Sequence, residues 1–379
     1  MKAFIDFYSS LNFIPVRQNI DSHNFISSRH FLYSKLGVPI IFLKDLEILE
    51  FGPGGGFNAT VTSSYKPSGY YFVEGNIAGI QQLNYFVKTR RVLSEDIKIF
   101  KSEFLEFTTD KLFDLVIAEG CIPGQNDPKS TLLKISSFVK NNGILITTTT
   151  TKSSTFSEIL RVLYAYLIKP NFESEDLYRN FLESEFSSHL ATLGTNTRSI
   201  EDWVLDNIIN PTHKNGYIFS ISDVLNTLEN FEIQSTFPSF EIDLSWYKNY
   251  TTTKDLNSNA LDLQLIRLES LLFDYRISYK DYFDIPLKTL ERQSEVINRV
   301  YDEVFKILNR DTDTLNLSKL IFELKNLCIE LSSIHRLTIG SISDFIEFLN
   351  STDRKNYKFT SFKSWWGRGQ QYLSLRKVT

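Results

Sequence analysis

At 379 residues the chain has room for two domains, or for one large α/β domain with insertions, and 42% hydrophobic content suffices for a sizeable core. A formal net charge of −4 argues against a dedicated nucleic-acid binder, which needs a basic surplus to neutralise phosphates. The two cysteines, Cys121 and Cys328, lack metal-ligand spacing and read as reduced thiols of a cytoplasmic protein, no secretory signal pattern opens the chain, and no run of about 18 apolar residues could span a membrane.

Residues 1–44 read as a helical preface. Phe4, Phe7, Tyr8 and Leu11 fall at helical spacing until Pro15, and a second helical stretch runs from Phe25 to Leu36 before Gly37 and Pro39. His23, Arg29 and His30 read first as capping or pairing groups on a helix surface; the alternative is that this segment folds over a binding cleft. The stretch from Asp45 to Ala59, DLEILEFGPGGGFNA, then carries the strongest signal in the chain. A short apolar run (Leu46, Ile48, Leu49, Phe51) holds the acidic Glu50 and breaks into Gly52, Pro53, Gly54, Gly55 and Gly56, which predicts a strand feeding a glycine loop. Such a loop lets backbone approach a ligand at the carboxyl ends of a parallel sheet. A Walker-type phosphate loop is excluded because no Gly-Lys-Ser/Thr follows, and the dinucleotide fingerprint fails because Phe57 stands where its last glycine belongs.

Gly69 to Glu74 supplies a second strand tipped by a carboxylate, roughly 20 residues beyond the loop, the spacing at which a βαβ unit places an acid on a ribose. Ile77 to Val87 reads as an amphipathic helix, Ile97 to Phe100 as a third strand, and Phe113 to Glu119 as a fourth, leaving through Glu119-Gly120-Cys121-Ile122-Pro123-Gly124. Asp127 and Pro128 start a helix expected over Lys129 to Lys140, with Gly143 closing it, and Ile144 to Thr151 forms a fifth strand. Strands alternating with helices predict an α/β fold with a doubly wound, mostly parallel sheet. Beyond Thr151 the pattern turns helical through residue 209. A polar, turn-rich stretch from Asp206 to Lys214 includes His213. A helix from Ser222 then leads to a strand over Glu232 to Phe237, and residues 251–358 are again helical and charged, with stripes at Leu261, Leu265, Leu268, Leu272 and at Val296, Val300, Val304, Leu308. Core packing explains those stripes, and an oligomer interface could also use them, so monomer and homodimer both remain open. Tyr372, Ser374 and Arg376 alternate with Leu373 and Leu375, which predicts a final strand.

The order Glu50-Phe51-Gly52-Pro53-Gly54-Gly55-Gly56, Glu74 at the second strand's tip, and FDLV followed by a polar exit resembles the class I S-adenosylmethionine (SAM) dependent methyltransferases, over residues 45–151 closely and over 220–237 and 370–378 loosely. That resemblance implies a seven-stranded Rossmann-like sheet whose seventh strand is antiparallel. The C-terminal residues are the first candidate for that strand and Phe240 to Leu244 the rival. It also implies cofactor binding by Glu50, Gly52, Gly54, Gly56 and Glu74, with Glu103 and Phe104 beside the adenine, and a substrate cover in the helical insertion. The organisation expected is a helical segment (1–44), the SAM-binding core (45–151), a helical cover (152–219), a return to the sheet (220–244), a helical insertion or cap (245–364) and the final strand (365–379). The loop and the fourth strand's exit look closest to bacterial enzymes methylating small molecules or surface glycans, so a small-molecule or glycan substrate is expected, without nucleic acid, metal or membrane span. Methyl transfer relies on proximity and water exclusion; a hydroxyl acceptor also needs a base, for which Glu119 and His213 are the candidates, whereas an amine needs less. Glu119 could instead orient the cofactor's methionine end. A SAM-binding regulatory module is the alternative reading, and RNA methylation is disfavoured by charge and by the absence of an NPPY-like tetrapeptide after the fourth strand.

Overall fold

The computed structural model describes residues 7–8, 11, 13–14, 16–194, 198–211, 218–239, 248, 265–278, 285–309, 317–331 and 336–378. The chain divides into two units, one of Met1–Thr150, Tyr217–Gln264 and Gln370–Thr379, the other of Thr151–Gly216 and Leu265–Gly369.

The first unit is built on a seven-stranded sheet. In chain order its strands are β1 (Glu47–Phe51), β2 (Gly69–Glu74), β3 (Asp96–Lys101), β4 (Phe113–Ala118), β5 (Val139–Thr149), β6 (Phe231–Phe237) and β7 (Gln371–Lys377). They lie in the order β3-β2-β1-β4-β5-β7-β6, with β1 to β5 parallel and β7 antiparallel to both its neighbours. This is the class I methyltransferase type of Rossmann-like sheet, and the last residues of the chain supply its antiparallel strand. The rival segment, Phe240 to Leu244, lies outside the described residues. Leu373 and Leu375 are fully buried between β5 and β6, as the alternation predicts.

Helices α1 (His23–Lys35), α2 (Phe57–Thr62) and α3 (Ile77–Lys88) belong to this unit, as do α4 (Pro128–Ser136) and α8 (Ile221–Thr227). One core joins Phe25, Leu32, Tyr33 and Leu36 of α1 and its end, Ala59 and Val61 of α2, and Leu83 and Phe86 of α3 to Ile48, Tyr70, Phe72, Leu115, Ile117 and Ile146 of the sheet. The sheet's other face carries Phe51 against the rings of Phe104, Phe107 and Phe138.

The helix after β4 is shorter than expected. Asp127 caps it by accepting from Ser130 N (2.9 Å), but α4 stops at Ser136, and Phe138 and Val139 are drawn into the core and into β5. Asn142, not Gly143, takes the left-handed backbone (φ 63°), and the β4–β5 register shifts beside it. Gly143 is needed for close approach instead: a Cβ there would sit 2.9 Å from Lys140 O and 3.1 Å from Asp114 O.

The second unit holds α5 (Phe156–Ile168), α6 (Glu175–Leu190), α7 (Ile200–Val204), α9 (Leu265–Leu272), α10 (Leu287–Leu308), α11 (Ser318–Glu330) and α12 (Arg336–Asn350). Its core is aromatic, with Phe156, Phe186, Phe345, Phe348, Phe362 and Trp365 buried. Arg161 lies fully buried among them, donating to the carbonyls of Ser157 and Trp365 (3.0 and 2.8 Å) and stacked on Trp366. Val296, Val300, Val304 and Leu308 face inward on α10. Among the described residues no helix is long and apolar enough to cross a membrane.

Candidate functional site

Strand register gathers three carboxylates on one face of the sheet. Glu50 of β1 stands opposite Phe72 of β2 and Ile117 of β4. Because side chains repeat every two residues, Glu74 and Glu119, each two residues on, share the face of Glu50 and lie one step nearer the carboxyl ends. The strand order reverses between β1 and β4, the switch point at which open α/β sheets bind ligands.

The glycine loop closes this crevice from above β1. Gly52, Gly54 and Gly56 all have positive φ (65°, 56° and 75°). Among the described residues a Cβ on Gly54 would meet no atom within 4 Å, whereas one on Gly56 would lie 2.4 Å from Leu83 Cδ1. Gly54 is thus the point at which loop backbone borders open space. Gly79, on α3, lets that helix approach the loop, since a Cβ there would stand 2.7 Å from Gly54 O. Sequence reasoning passes over Gly79, although a glycine inside a helical pattern is a signal for close packing.

Glu74 is tied to the loop. Its Oε2 accepts from Gly54 N (2.9 Å) and its Oε1 from Asn76 N (2.7 Å). Asn76 in turn caps α3, accepting from Ala78 N (3.1 Å), and donates to the carbonyl of Phe13 (2.8 Å). Burial pushes the Glu74 carboxyl up to about 7 against the pull of those backbone N–H groups. Burial likewise raises Glu50 to about 7, with the hydrogen bond from Tyr70 OH opposing it and Glu119 adding repulsion.

Glu119 has the most partners. Arg29 Nη1 donates to its Oε2 (2.8 Å) and Nη2 to its Oε1 (2.9 Å); Tyr33 OH donates to Oε1 (2.8 Å) and Asn58 Nδ2 to Oε2 (3.4 Å). Both members of the Arg29–Glu119 pair are 8% exposed. The surface reading of Arg29 is therefore corrected: an arginine 90 residues upstream of Glu119 is buried against it because α1 packs over the sheet face that β1 and β4 share. Tyr33, which the sequence does not single out, joins it from one turn on. His23 and His30 stay at the helix surface, His23 beside Ser27 Oγ (3.4 Å) and His30 near the Tyr65 ring.

On the other face Phe104 is buried edge-on to Phe51, with its ring under the loop at Gly52. Glu103 is half-buried, and its carbonyl accepts from Glu106 and Phe107 N. Cys121 is buried beside Gly52, and its thiol is pushed well up by burial and the neighbouring carboxylates, which leaves it unreactive. His213 lies outside the described residues. Among the described residues no three His, Cys, Asp or Glu side chains could hold a metal.

Comparison with solved structures finds partial likenesses to several proteins. The N-methyltransferase NodS of Bradyrhizobium japonicum, in complex with S-adenosyl-l-homocysteine (SAH), is 18% identical over 38% of this chain and 72% of its own, with a TM-score of 0.31. The magnesium protoporphyrin IX methyltransferase ChlM of Synechocystis, with bound SAH, is 10% identical over 61% of this chain and 89% of its own, with a TM-score of 0.38. The cyclase SpnF is 10% identical over 93% of this chain and 81% of its own, with a TM-score of 0.37. No protein-family model matches the sequence, and no curated protein matches it either.

Proposed function

We propose that the chain is a SAM-dependent methyltransferase acting on an oxygen or nitrogen of a small molecule or glycan precursor. The observation that carries this reading is Glu74: a buried carboxylate at the tip of β2, hydrogen-bonded to the amide of the glycine on the loop's open side. Each of its oxygens keeps a lone pair for a ribose hydroxyl, so a nucleoside can span Glu74 and Gly54. Phe104 and Glu103 are proposed to border the adenine. Three carboxylates share the crevice with Arg29, an acidic balance that suits a sulfonium and an ammonium better than a pyrophosphate.

When bound, SAM supplies a methyl carbon that the acceptor's lone pair attacks as the sulfur–methyl bond breaks, its electron pair staying on sulfur. The chain's own part is to bind, orient and exclude water. Both oxygens of Glu119 are engaged by Arg29, Tyr33 and Asn58, which makes it a positioning group in our reading rather than a free base. His213 stays the proposed base for a hydroxyl acceptor; an amine acceptor needs none.

The test is consumption of methyl-labelled SAM with a fraction of cellular small molecules as acceptor. Transfer should be found, and Glu119→Gln should change turnover without shifting the pH at which half-maximal rate is reached. Binding of SAM with no transfer to any fraction would favour the regulatory-module reading instead.

A further inference from the structure

The row of side chains that holds Glu74 and Glu119 continues across the sheet. Ile117 of β4 stands opposite Ile146 of β5, so Glu119 and Thr148, each two residues on, fall in one row. The antiparallel ladders extend that row from Thr148 to Tyr372 of β7, and from Tyr372 to Phe237 of β6. Tyr372 and Phe237 are half-buried on the same core face as Ile117 and Ile146, the face that α1 covers, and Phe31 of α1 meets Phe237 edge-on (5.8 Å between ring centroids). With a ribose on Glu74, the sulfonium end of the cofactor runs past the glycine loop toward Glu119, and an acceptor beyond the methyl stands over β5 and β7. Two side chains there already have partners: both Glu119 oxygens are engaged, and Thr148 is fully buried with its Oγ1 accepting from Gly120 N (2.8 Å). Tyr372 differs. Its hydroxyl is within electrostatic reach of Glu119 and Arg29, yet it makes no hydrogen bond among the described residues. Burial, with Glu119 adding to it, pushes the phenol up to about 12, so it stays neutral and offers one donor and its oxygen lone pairs.

We propose that the Tyr372 hydroxyl oxygen holds the methyl acceptor by accepting a hydrogen bond from the nucleophile's own O–H or N–H. The inference rests on the SAM reading and narrows the acceptor to a hydroxyl or a primary or secondary amine; a tertiary amine, a thioether or a carboxylate has no hydrogen to offer. The direction of the bond matters. A phenol that donated to the nucleophile would occupy the lone pair that must attack, whereas one that accepts leaves that lone pair free to face the methyl. The bond formed joins the acceptor's heteroatom to the methyl carbon, and the bond broken is that from carbon to sulfur. The heteroatom's proton leaves to the base proposed above or, for an amine, to solvent, because a neutral phenol is too weak a base to take it.

Calorimetry with SAH, and transfer from methyl-labelled SAM into serial dilutions of the cellular small-molecule fraction, are compared for the wild-type chain and Tyr372→Phe. The variant leaves no described group without a partner and should melt no earlier than the wild type. SAH affinity should be unchanged, transfer at limiting fraction should fall about threefold to tenfold, the worth of one hydrogen bond, and the pH profile of the rate should keep its shape. Unchanged transfer overturns the proposal. So does a loss of SAH affinity in step with transfer, which would mark the hydroxyl as structural, and so does an altered pH profile, which would make the phenol a proton carrier. Mass spectrometry of the wild-type product gives a check that needs no variant: a methyl found on a former tertiary amine, on sulfur or on a carboxylate contradicts the acceptor class. A wild-type chain that binds no SAH, or binds it and methylates nothing, overturns the functional reading and this inference with it; one that methylates and is matched by Tyr372→Phe overturns the inference alone.

Discussion

Gly54 and Gly79 touch the same loop and should fail differently when a side chain is added. At Gly54 the new Cβ meets no atom of the described residues within 4 Å, so Gly54→Val bears only the cost of a β-branched residue at φ 56°, on the order of 1–2 kcal/mol, while its side chain projects into the ligand's path. At Gly79 the new Cβ would sit 2.7 Å from a backbone oxygen, and Gly79→Ala should lower stability by about 1–3 kcal/mol by forcing α3 off the loop. Thermal melts with and without SAM distinguish them: the first variant should keep most of its melting temperature and gain nothing from SAM, the second should melt earlier yet still be stabilised by SAM. The carboxylates give a pH signature. Glu50 and Glu74 are raised from 4.5 to about 7 by burial, so the folded site holds protons that the unfolded chain has lost. Their contribution to stability is therefore present below pH 4.5 and lost as pH rises through 7. A cation bound beside them favours the ionised forms, so SAM affinity should rise between pH 6 and 8 with proton release at the lower end. Calorimetry in buffers of different ionisation heat reads that release directly, and an affinity flat across this range would show that neither carboxylate faces the cofactor. Melting alone would not isolate it, because burial lowers His189 in the helical unit to about 4, which acts in the opposite sense over much of the window.

Among the elements, β7 is the most exposed to test. It lies between β5 and β6, pairing Leu375 with Leu145 on one side and Ile233 on the other. Removing residues 370–379 should abolish cooperative unfolding of the sheet and SAM binding together, through the lost ladder and the exposure of Leu373 and Leu375. A truncated chain with unchanged melting and SAM affinity would show that the sheet closes without it. This strand was legible from the sequence because alternation is a local signal that a half-buried strand must carry. The parallel strands β1, β2 and β4 were legible for a different reason, as short apolar runs of strands buried on both faces. The end of α4 was not: Phe138 and Val139 continue a helical pattern perfectly well, and only the tertiary pull of the rings on the sheet's far face takes Phe138 into the core, with Val139 starting β5.

At the scale of the whole chain, what the sequence conveyed follows the reach of each interaction. Glu50, the glycines and Glu74 form one βαβ unit, so their joint role could be read from spacing within about 20 residues. The Arg29–Glu119 pair spans 90 residues and depends on which face α1 covers, which no periodicity within α1 reveals. The helical unit was visible as helical, and its inward stripe on α10 follows the expected spacing, but Arg161 buried among aromatic rings and carbonyls has no sequence signature apart from its neighbours. The central claim is that the crevice at the glycine loop takes SAM. Calorimetric titration of the purified chain with SAM and with NADH, repeated on Glu74→Ala, tests it most directly. The chain should bind SAM and not NADH, and the variant should lose about 1–3 kcal/mol in SAM affinity, the cost of removing charge-assisted hydrogen bonds to the ribose. Binding of NADH in preference to SAM, or SAM affinity untouched by Glu74→Ala, would contradict it.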